Sequence, residues 1–285
     1  MLIQEECVGC IINQSRRVAH AINASETLSA SLTAKVEEMS KEFSFSKNPP
    51  EVATDVYEEM ARMAGKSDLY DEVKRIATQK ALSFIPLLEE KLATCHDKLL
   101  TATKIAVAGN VIDLAAQVEF DLAEELEKIF HTDFAHNDFA LLEQKLQHAK
   151  SVLIIGDNAG EHIFDLLFVK TLTEIFADTE FYYMTRGNPI INDVTFDEAK
   201  EAGFLEICQL IDSGVNTPGF TYNRATKEAQ ELFDTADVVI TKGMGNYECL
   251  SHTHRSNLCF LLKVKCNVVA SSLQKNVGDI ICKMI

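Results

Sequence analysis

The sequence predicts an α/β fold: a mainly parallel, Rossmann-like sheet flanked by helices in the C-terminal half, preceded by an all-helical N-terminal portion. Three observations carry this. Up to about residue 149, apolar residues recur at helical spacing with few β-branched runs. From Ser151 onward, short apolar runs alternate with helix-length segments, the rhythm of a parallel sheet covered on both faces. The runs end in turns rich in Gly, Asp, Asn and Ser.

In the first half, Pro49-Pro50 opens a helix over Glu51 to Ala64, with Val52, Val56, Tyr57, Met60 and Met63 on one stripe. Leu69 to Leu100 continues with Val73, Ile76, Ala77, Leu87, Leu88 and Leu92, and Pro86 is expected to kink or divide it. Asp121 to Phe130 and Phe139 to Ala149 complete this half. In the second half, Ser151 to Asp157 is an apolar run ending in a turn, as expected of a strand buried on both faces. The expected order is then helix Ala159–Phe176, strand Glu180–Thr185, helix Asp193–Ala202, strand Leu205–Ile211, helix Tyr222–Phe233, strand Asp237–Thr241 and a last strand around Leu261–Ala270. The parts divide as 1–149 and 150–285, and with no repeat or long linker between them they can pack as one body.

The 285 residues suffice for a large core, and 47% apolar with 25% charged residues is ordinary for a soluble globular chain. The acidic start MLIQEECVGC lacks a signal-peptide pattern, and no apolar run reaches membrane-spanning length, so a cytoplasmic location is expected. A net charge of −16 argues against a general nucleic-acid binder, yet leaves room for a phosphate ligand beside a cation. Eight cysteines in such a chain are expected to be reduced thiols.

Ligands of open parallel sheets bind beyond the carboxyl ends of the strands. This sequence places Gly156-Asp157-Asn158-Ala159-Gly160-Glu161 after the first strand and Arg186 to Asp193 after the second. Asp212-Ser213-Gly214 to Gly219 follows the third, and Lys242-Gly243-Met244-Gly245-Asn246-Tyr247-Glu248 the fourth. Asp157, Asn158 and Asp193 offer oxygen donors that suit a cation such as Mg²⁺ or Mn²⁺. Lys242 offers a point charge for a phosphoryl oxygen, and Ser213-Gly214 and Gly243 offer backbone N–H groups to an anion. Together these equip a site for metal-assisted phosphoryl hydrolysis. Taken singly, each has a plainer reading: Asp157-Asn158 as a turn or cap, Lys242 as a solvated residue, Glu161 as a partner of the helix dipole, and Asn192 or Asp193 as an N-cap.

The ordered set GDNAGE (156–161), NDVTFDEA (192–199), SGVNTPG (213–219) and KGMGNYE (242–248), with AGNVIDLA (108–115), resembles the DUF89 family of damage-control phosphatases. The CVGC pair looks like the family's smaller, prokaryotic-type branch. The resemblance spans nearly the whole chain. It implies a metal-dependent phosphatase of small phosphorylated metabolites, such as sugar phosphates or phosphopantetheine-like compounds. The cation would be held by Asp157, Asn158 and Asp193 and the phosphate by Lys242. The resemblance also implies Asn110 and Asp113 as site neighbours, and Asn246 and Glu248 as residues shaping the last loop. Mg²⁺, Mn²⁺, Co²⁺ and Ni²⁺ all fit such ligands. Asp157 is open to a nucleophile or a ligand role, and the oxygen cage with Asn158 and Asp193 favours the ligand.

Cys7 and Cys10 have the spacing of a metal knuckle or redox pair, and Cys266 is a conceivable third thiol; packed thiols at a helix start are the plainer reading. His252 and His254 follow Lys242 closely but have poor spacing for one helical face. A Rossmann nucleotide site is disfavoured because GDNAGE lacks the close glycines of G-x-G-x-x-G. A haloacid-dehalogenase phosphatase is disfavoured because no Asp-x-Asp-x-Thr motif follows the first strand. The alternative from another class is a non-catalytic metal- or partner-binding protein using CVGC.

Overall fold

A computed structural model describes residues 1–111 and 122–285. The chain opens with helices α1 (Glu5–Ala21), α2 (Glu26–Ser40), α3 (Pro49–Ala64), α4 (Asp71–Thr94), α5 (Lys98–Val111) and α6 (Leu122–His131). Strand β1 (His136–Asn137), α7 (Phe139–Leu146), β2 (Ser151–Ile155), α8 (Glu161–Ile175), β3 (Glu180–Thr185), α9 (Phe196–Ala202) and β4 (Gln209–Asp212) follow. The chain closes with α10 (Lys227–Thr235), β5 (Val238–Lys242), α11 (Gly243–Leu250), β6 (Leu258–Lys263), α12 (Asn267–Leu273) and β7 (Ile280–Met284).

Local sequence accounts for the helix limits. Asn48 caps α3 reciprocally with Glu51, Pro49-Pro50 occupy its first turn, and Gly65 ends it in the left-handed conformation at φ 64°. Thr195 and Glu198 form the same kind of box at α9, and Gly203 ends it.

The sheet order is β1-β7-β6-β5-β2-β3-β4, parallel throughout except for the β6–β7 pair. Alternate residues of the inner strands feed opposite layers. Val152, Ile154, Val238 and Ile240 pack with α4, α5, α7 and α8, whereas Leu153, Ile155 and Val239 pack with α10, α11 and α12. A third cluster joins α1, α2 and α3 to Ile190. From β2 the chain winds outward through β3 and β4, then returns to β5 on the other side of β2. The crevice between β2 and β5 is therefore the topological switch point, where ligands of such sheets bind. No helix among the described residues is long and apolar enough to cross a membrane.

The α/β sheet preceded by helices is as expected, and β3 spans the expected residues. Several elements differ. Helix α4 runs unbroken through Pro86. The helix expected from Asp193 starts at Phe196, and the segment from Tyr222 is a 3₁₀ turn (Tyr222–Arg224) followed by α10. The strand expected from Leu205 starts at Gln209, after a 3₁₀ turn at Phe204–Glu206. The last expected strand, Leu261–Ala270, is the end of β6 plus α12, because the Cys266 side chain caps a helix there. Strands β1 and β7 were not anticipated. Asp113 lies outside the described residues, as does Asp121 at the start of the helix expected before Phe130.

Candidate active site

The four expected strand-end loops meet at the carboxyl edge of the sheet, and Asn246 fastens them. Its Nδ2 donates to the Gly156 carbonyl at 3.1 Å and the Lys242 carbonyl at 2.7 Å. Its Oδ1 accepts from Phe220 N at 2.7 Å and Arg186 Nη2 at 3.3 Å. The first and second loops also pair by backbone: Val194 N donates to the Asp157 carbonyl and Ala159 N to the Asn192 carbonyl, each at 2.8 Å. Asn158 and Asp193 stand opposite each other in that bridge.

This pairing gathers acidic groups. Asp157 is buried, and its Oδ2 accepts from Asn110 Nδ2 at 2.9 Å and Asn158 Nδ2 at 3.0 Å. Glu161, also buried, accepts from Asn158 Nδ2 at 2.7 Å and Asn110 Nδ2 at 3.2 Å. Asn110 is anchored in turn by accepting Lys263 N at 3.1 Å. Asp193 is buried and accepts from Arg186 Nε at 2.7 Å. Neither Asp157 nor Asn158 caps α8, whose N-cap is Gly160, and Asp193 does not cap α9, whose N-cap is Thr195. The plain capping readings of these residues therefore do not apply.

The electrostatics follow from that crowding. Burial, then the charges of Glu161 and Asp193, push the Asp157 carboxyl well above the usual carboxylate range, against the pull of Lys265 and Arg186. Burial likewise pushes Asp193 up to about 6, although Arg186 pulls the other way. Such a cluster holds more negative charge than its neighbours neutralise, the condition a bound cation relieves. Its donors are oxygens, with Asp157, Asn158 and Asp193 placed to share a hard cation. The set relies on the Asn158 amide oxygen, because among the described residues no three His, Cys, Asp or Glu side chains gather to hold a metal ion.

Above the cluster lies a cavity of about 660 Å³, lined by Asp157, Asn158, Asp193, Lys265 and, from α1 and α3, residues such as Arg17 and Tyr57. Lys265 is exposed, lines this cavity and has no ion-pair partner among the described residues.

Of the other expected site residues, Lys242, Ser213, Gly214 and Asn246 do not line the cavity. Lys242 is fully buried and its ammonium bonds Asp165 Oδ1 on α8 at 2.5 Å. Ser213 is buried, with its hydroxyl donating to the Thr185 carbonyl, and Gly214 at φ 72° closes a turn onto Asp212. Asn246 is internal. Glu248, Cys7, Cys10 and Cys266 all line the cavity. His252 and His254 are exposed beyond the far end of α11 and do not line it. Sequence reasoning missed Lys265, Arg186 as the partner of Asp193, and Asp165 as the partner of Lys242. Arg186 was legible in the segment after β3, but its partner depended on how the loop folds back.

The model of the damage-control phosphatase ARMT1-like domain matches residues 3–281 of this chain. A damage-control phosphatase of Pyrococcus horikoshii is 32% identical over 286 residues, covering 99% of this chain and 98% of the relative. One from Archaeoglobus fulgidus is 28% identical over 291 residues, covering 100% of both. The crystal structure of a DUF89 family protein from Pyrococcus horikoshii superposes with a TM-score of 0.92 at 29% identity, covering 100% of this chain and 99% of that one.

Proposed function

The chain belongs to the family of damage-control phosphatase ARMT1-like domains, and on that premise we propose that it is a divalent-metal-dependent phosphatase. Its substrates in this reading are small phosphorylated metabolites, sugar phosphates or phosphopantetheine-like compounds. The observation that carries the reading is the crowded trio Asp157, Glu161 and Asp193 beneath a cavity also lined by Lys265, which has no ion-pair partner among the described residues.

In this reading Asp157, Asn158 and Asp193 hold the cation. When bound, it supplies charge neutralisation and Lewis-acid polarisation of a phosphoryl oxygen. The remaining work belongs to the chain. Arg186 fixes the Asp193 carboxylate by its Nε bond, and the Asn110 amide fixes Asp157 and Glu161 together. Lys265 reaches into the cavity and complements the charge on the equatorial oxygens of the ester. Glu161 stands beside Asp157, held by the amides of Asn158 and Asn110, and adds its negative charge to the cluster. The α1 and α3 walls limit water around the ester. Asp157 serves as ligand rather than nucleophile in this reading, because Asn158 and Asp193 face each other beside it and complete an oxygen cage.

The test is phosphate release from a panel of sugar phosphates and phosphopantetheine-like compounds. It compares chelator-stripped protein, protein resupplied with Mg²⁺, Mn²⁺, Co²⁺ or Ni²⁺, and Asp157→Asn, with calorimetric titration of Mn²⁺ as a readout separate from turnover. The expected result is turnover restored by metal, with turnover and Mn²⁺ binding both lost in a folded Asp157→Asn chain. Turnover indifferent to chelation would overturn the metal role, and a phospho-aspartate trapped at Asp157 would overturn its assignment as ligand.

A further inference from the structure

The thiols of Cys7, Cys10 and Cys266 play no part in that chemistry, yet all three line the same cavity. Cys7 and Cys10 lie one turn apart on α1, on the stripe that continues through Gln14 and Arg17. Cys266 reaches the cavity from the β6–α12 turn, where its Sγ accepts Val269 N at 3.5 Å. The two walls are in contact, since Val268 packs into the cluster that contains Cys7 and Ile11. Burial first, then the charge of Glu248, pushes the Cys7 and Cys266 thiols up, with smaller contributions from Cys266 and Cys10 at Cys7 and from Cys10 at Cys266.

A metal is a poor occupant for this wall, since no three Cys, His, Asp or Glu side chains among the described residues gather to hold one. Simple core packing does not account for it either, because Cys10 is exposed and Cys266 only half-buried. Cys259 and Cys282 make the contrast: their sulfurs are 3.9 Å apart, but both are fully buried between β6 and β7, out of reach of any reagent.

We propose that Cys10 and Cys266 are a redox pair that closes to a disulfide on reaction with a small-molecule disulfide, fastening α1 to the β6–α12 turn. Cys10, the exposed thiol, enters first. Its thiolate attacks one sulfur of the small disulfide, the S–S bond breaks, and one small thiolate leaves. The Cys266 thiolate then attacks the Cys10 sulfur and expels the second. The small disulfide is thereby reduced to two thiols, which carry off the two protons given up by Cys10 and Cys266. A Cys7–Cys10 bridge is disfavoured because one-turn neighbours on a helix keep their Cβ atoms about 5–6 Å apart, more than the roughly 3.5–4.5 Å of a disulfide. Because Lys265 immediately precedes Cys266, the bridge also restrains the cation that reaches into the cavity.

The experiment treats the reduced full chain with excess oxidised glutathione at mildly alkaline pH, quenches in acid and maps the cysteines by mass spectrometry. The readout is mass, so it stands apart from any phosphatase assay. The expected product has lost two hydrogens, contains a Cys10–Cys266 linked peptide and reverts with dithiothreitol. Cys266→Ser, which keeps a capping oxygen for Val269, should stop at a mixed disulfide on Cys10, and Cys10→Ser should remain unmodified. A Cys7–Cys10 bridge, a mixed disulfide that persists on Cys10 in the native chain, or no modification would each overturn the proposal.

Discussion

Gly243 and Asp157 are in contact across the β2–β5 switch point: a Cβ at position 243 would stand 1.8 Å from Asp157 Oδ2. Gly243 also sits at φ 77°, where an L side chain is strained. The first glycine of KGMG is thus the floor on which the Asp157 carboxylate rests.

Gly243→Ala must therefore both strain the backbone and displace that carboxylate. We expect a loss of about 1–2 kcal/mol from the backbone alone, with displacement of Asp157 adding to it. Divalent-cation affinity should fall about 10–100-fold, as when the support of a ligand is disturbed. Urea unfolding and calorimetric Mn²⁺ titration read the two effects separately. Unchanged values in both would mean that Asp157 does not depend on this contact.

Lys242 and Asp165 form a fully buried pair, and Tyr183 donates to the second Asp165 oxygen at 2.9 Å. Removing one partner strands the other charge, a loss of about 3–5 kcal/mol. Lys242→Met should accordingly lower the melting temperature steeply, and Lys242→Met/Asp165→Leu should recover much of the loss. A lysine serving chiefly as a phosphate contact would behave differently, raising KM in a chain of normal stability. Thermal unfolding of the single and double variants separates the outcomes.

His162 is buried on α8; its Nδ1 accepts Gly160 N at 3.0 Å, and its Nε2 has no partner in the described structure. Burial, with some help from Lys74, holds its pKa down at about 3 against 6.5 for a free histidine. On acidification through 6.5 the unfolded chain takes up a proton that the folded chain refuses until about 3, so the contribution of His162 is present above pH 6.5 and lost below it. The raised carboxyls of Asp157, Asp193 and Glu248 act in the opposite sense, since the folded state holds their protons more tightly. Comparison with His162→Gln isolates the histidine. Between those pH values the wild type should lose about 1.4 kcal/mol per pH unit relative to the variant. Parallel stability profiles would show that His162 is protonated in the folded chain.

Much of the candidate site's arrangement was legible because the motifs fall where parallel strands end. GDNAGE, NDVTFDEA and KGMGNYE each meet the switch point, and Asp157, Asn158 and Asp193 do come together. What the motifs could not convey was the direction of side chains. Val238 and Ile240 face α8, so period-two alternation sends Lys242 to the same layer, toward Asp165 and away from the cavity. That parity was present in the sequence, but its meaning depended on which face of the sheet α8 would cover. Lys265 was hidden by a boundary error. Reading Leu261–Ala270 as one strand ran through Cys266, whose side chain begins α12 and leaves Lys265 in the connecting turn. The β-branched Val268 and Val269 favoured the strand reading, and tertiary packing of Val269 against the sheet overrode it. Strand β1 is two residues long and pairs with the unanticipated β7, a contact too short and too distant in sequence for local patterning to reveal.

Lys265, unlike the buried Lys242, lines the cavity. It is exposed and unpaired among the described residues, so Lys265→Met should leave unfolding unchanged within about 0.5 kcal/mol. Its charge nevertheless bears on Asp157 across the cavity, favouring the ionised carboxylate. Losing it removes both a counter-charge for the phosphoryl oxygens and part of the pull that keeps Asp157 available to a cation. We expect kcat/KM for a responsive phosphate ester, and affinity for inorganic phosphate as product, to fall together by about 10²-fold or more, the scale of one lost charge-stabilising contact. Lys265→Arg should restore a good part of both by keeping the charge in the cavity. Steady-state kinetics with phosphate as inhibitor, run beside urea unfolding, makes the comparison. A Lys265→Met chain that binds phosphate normally would remove Lys265 from the substrate site and leave Arg17 as the other cavity-lining cation without an ion-pair partner among the described residues.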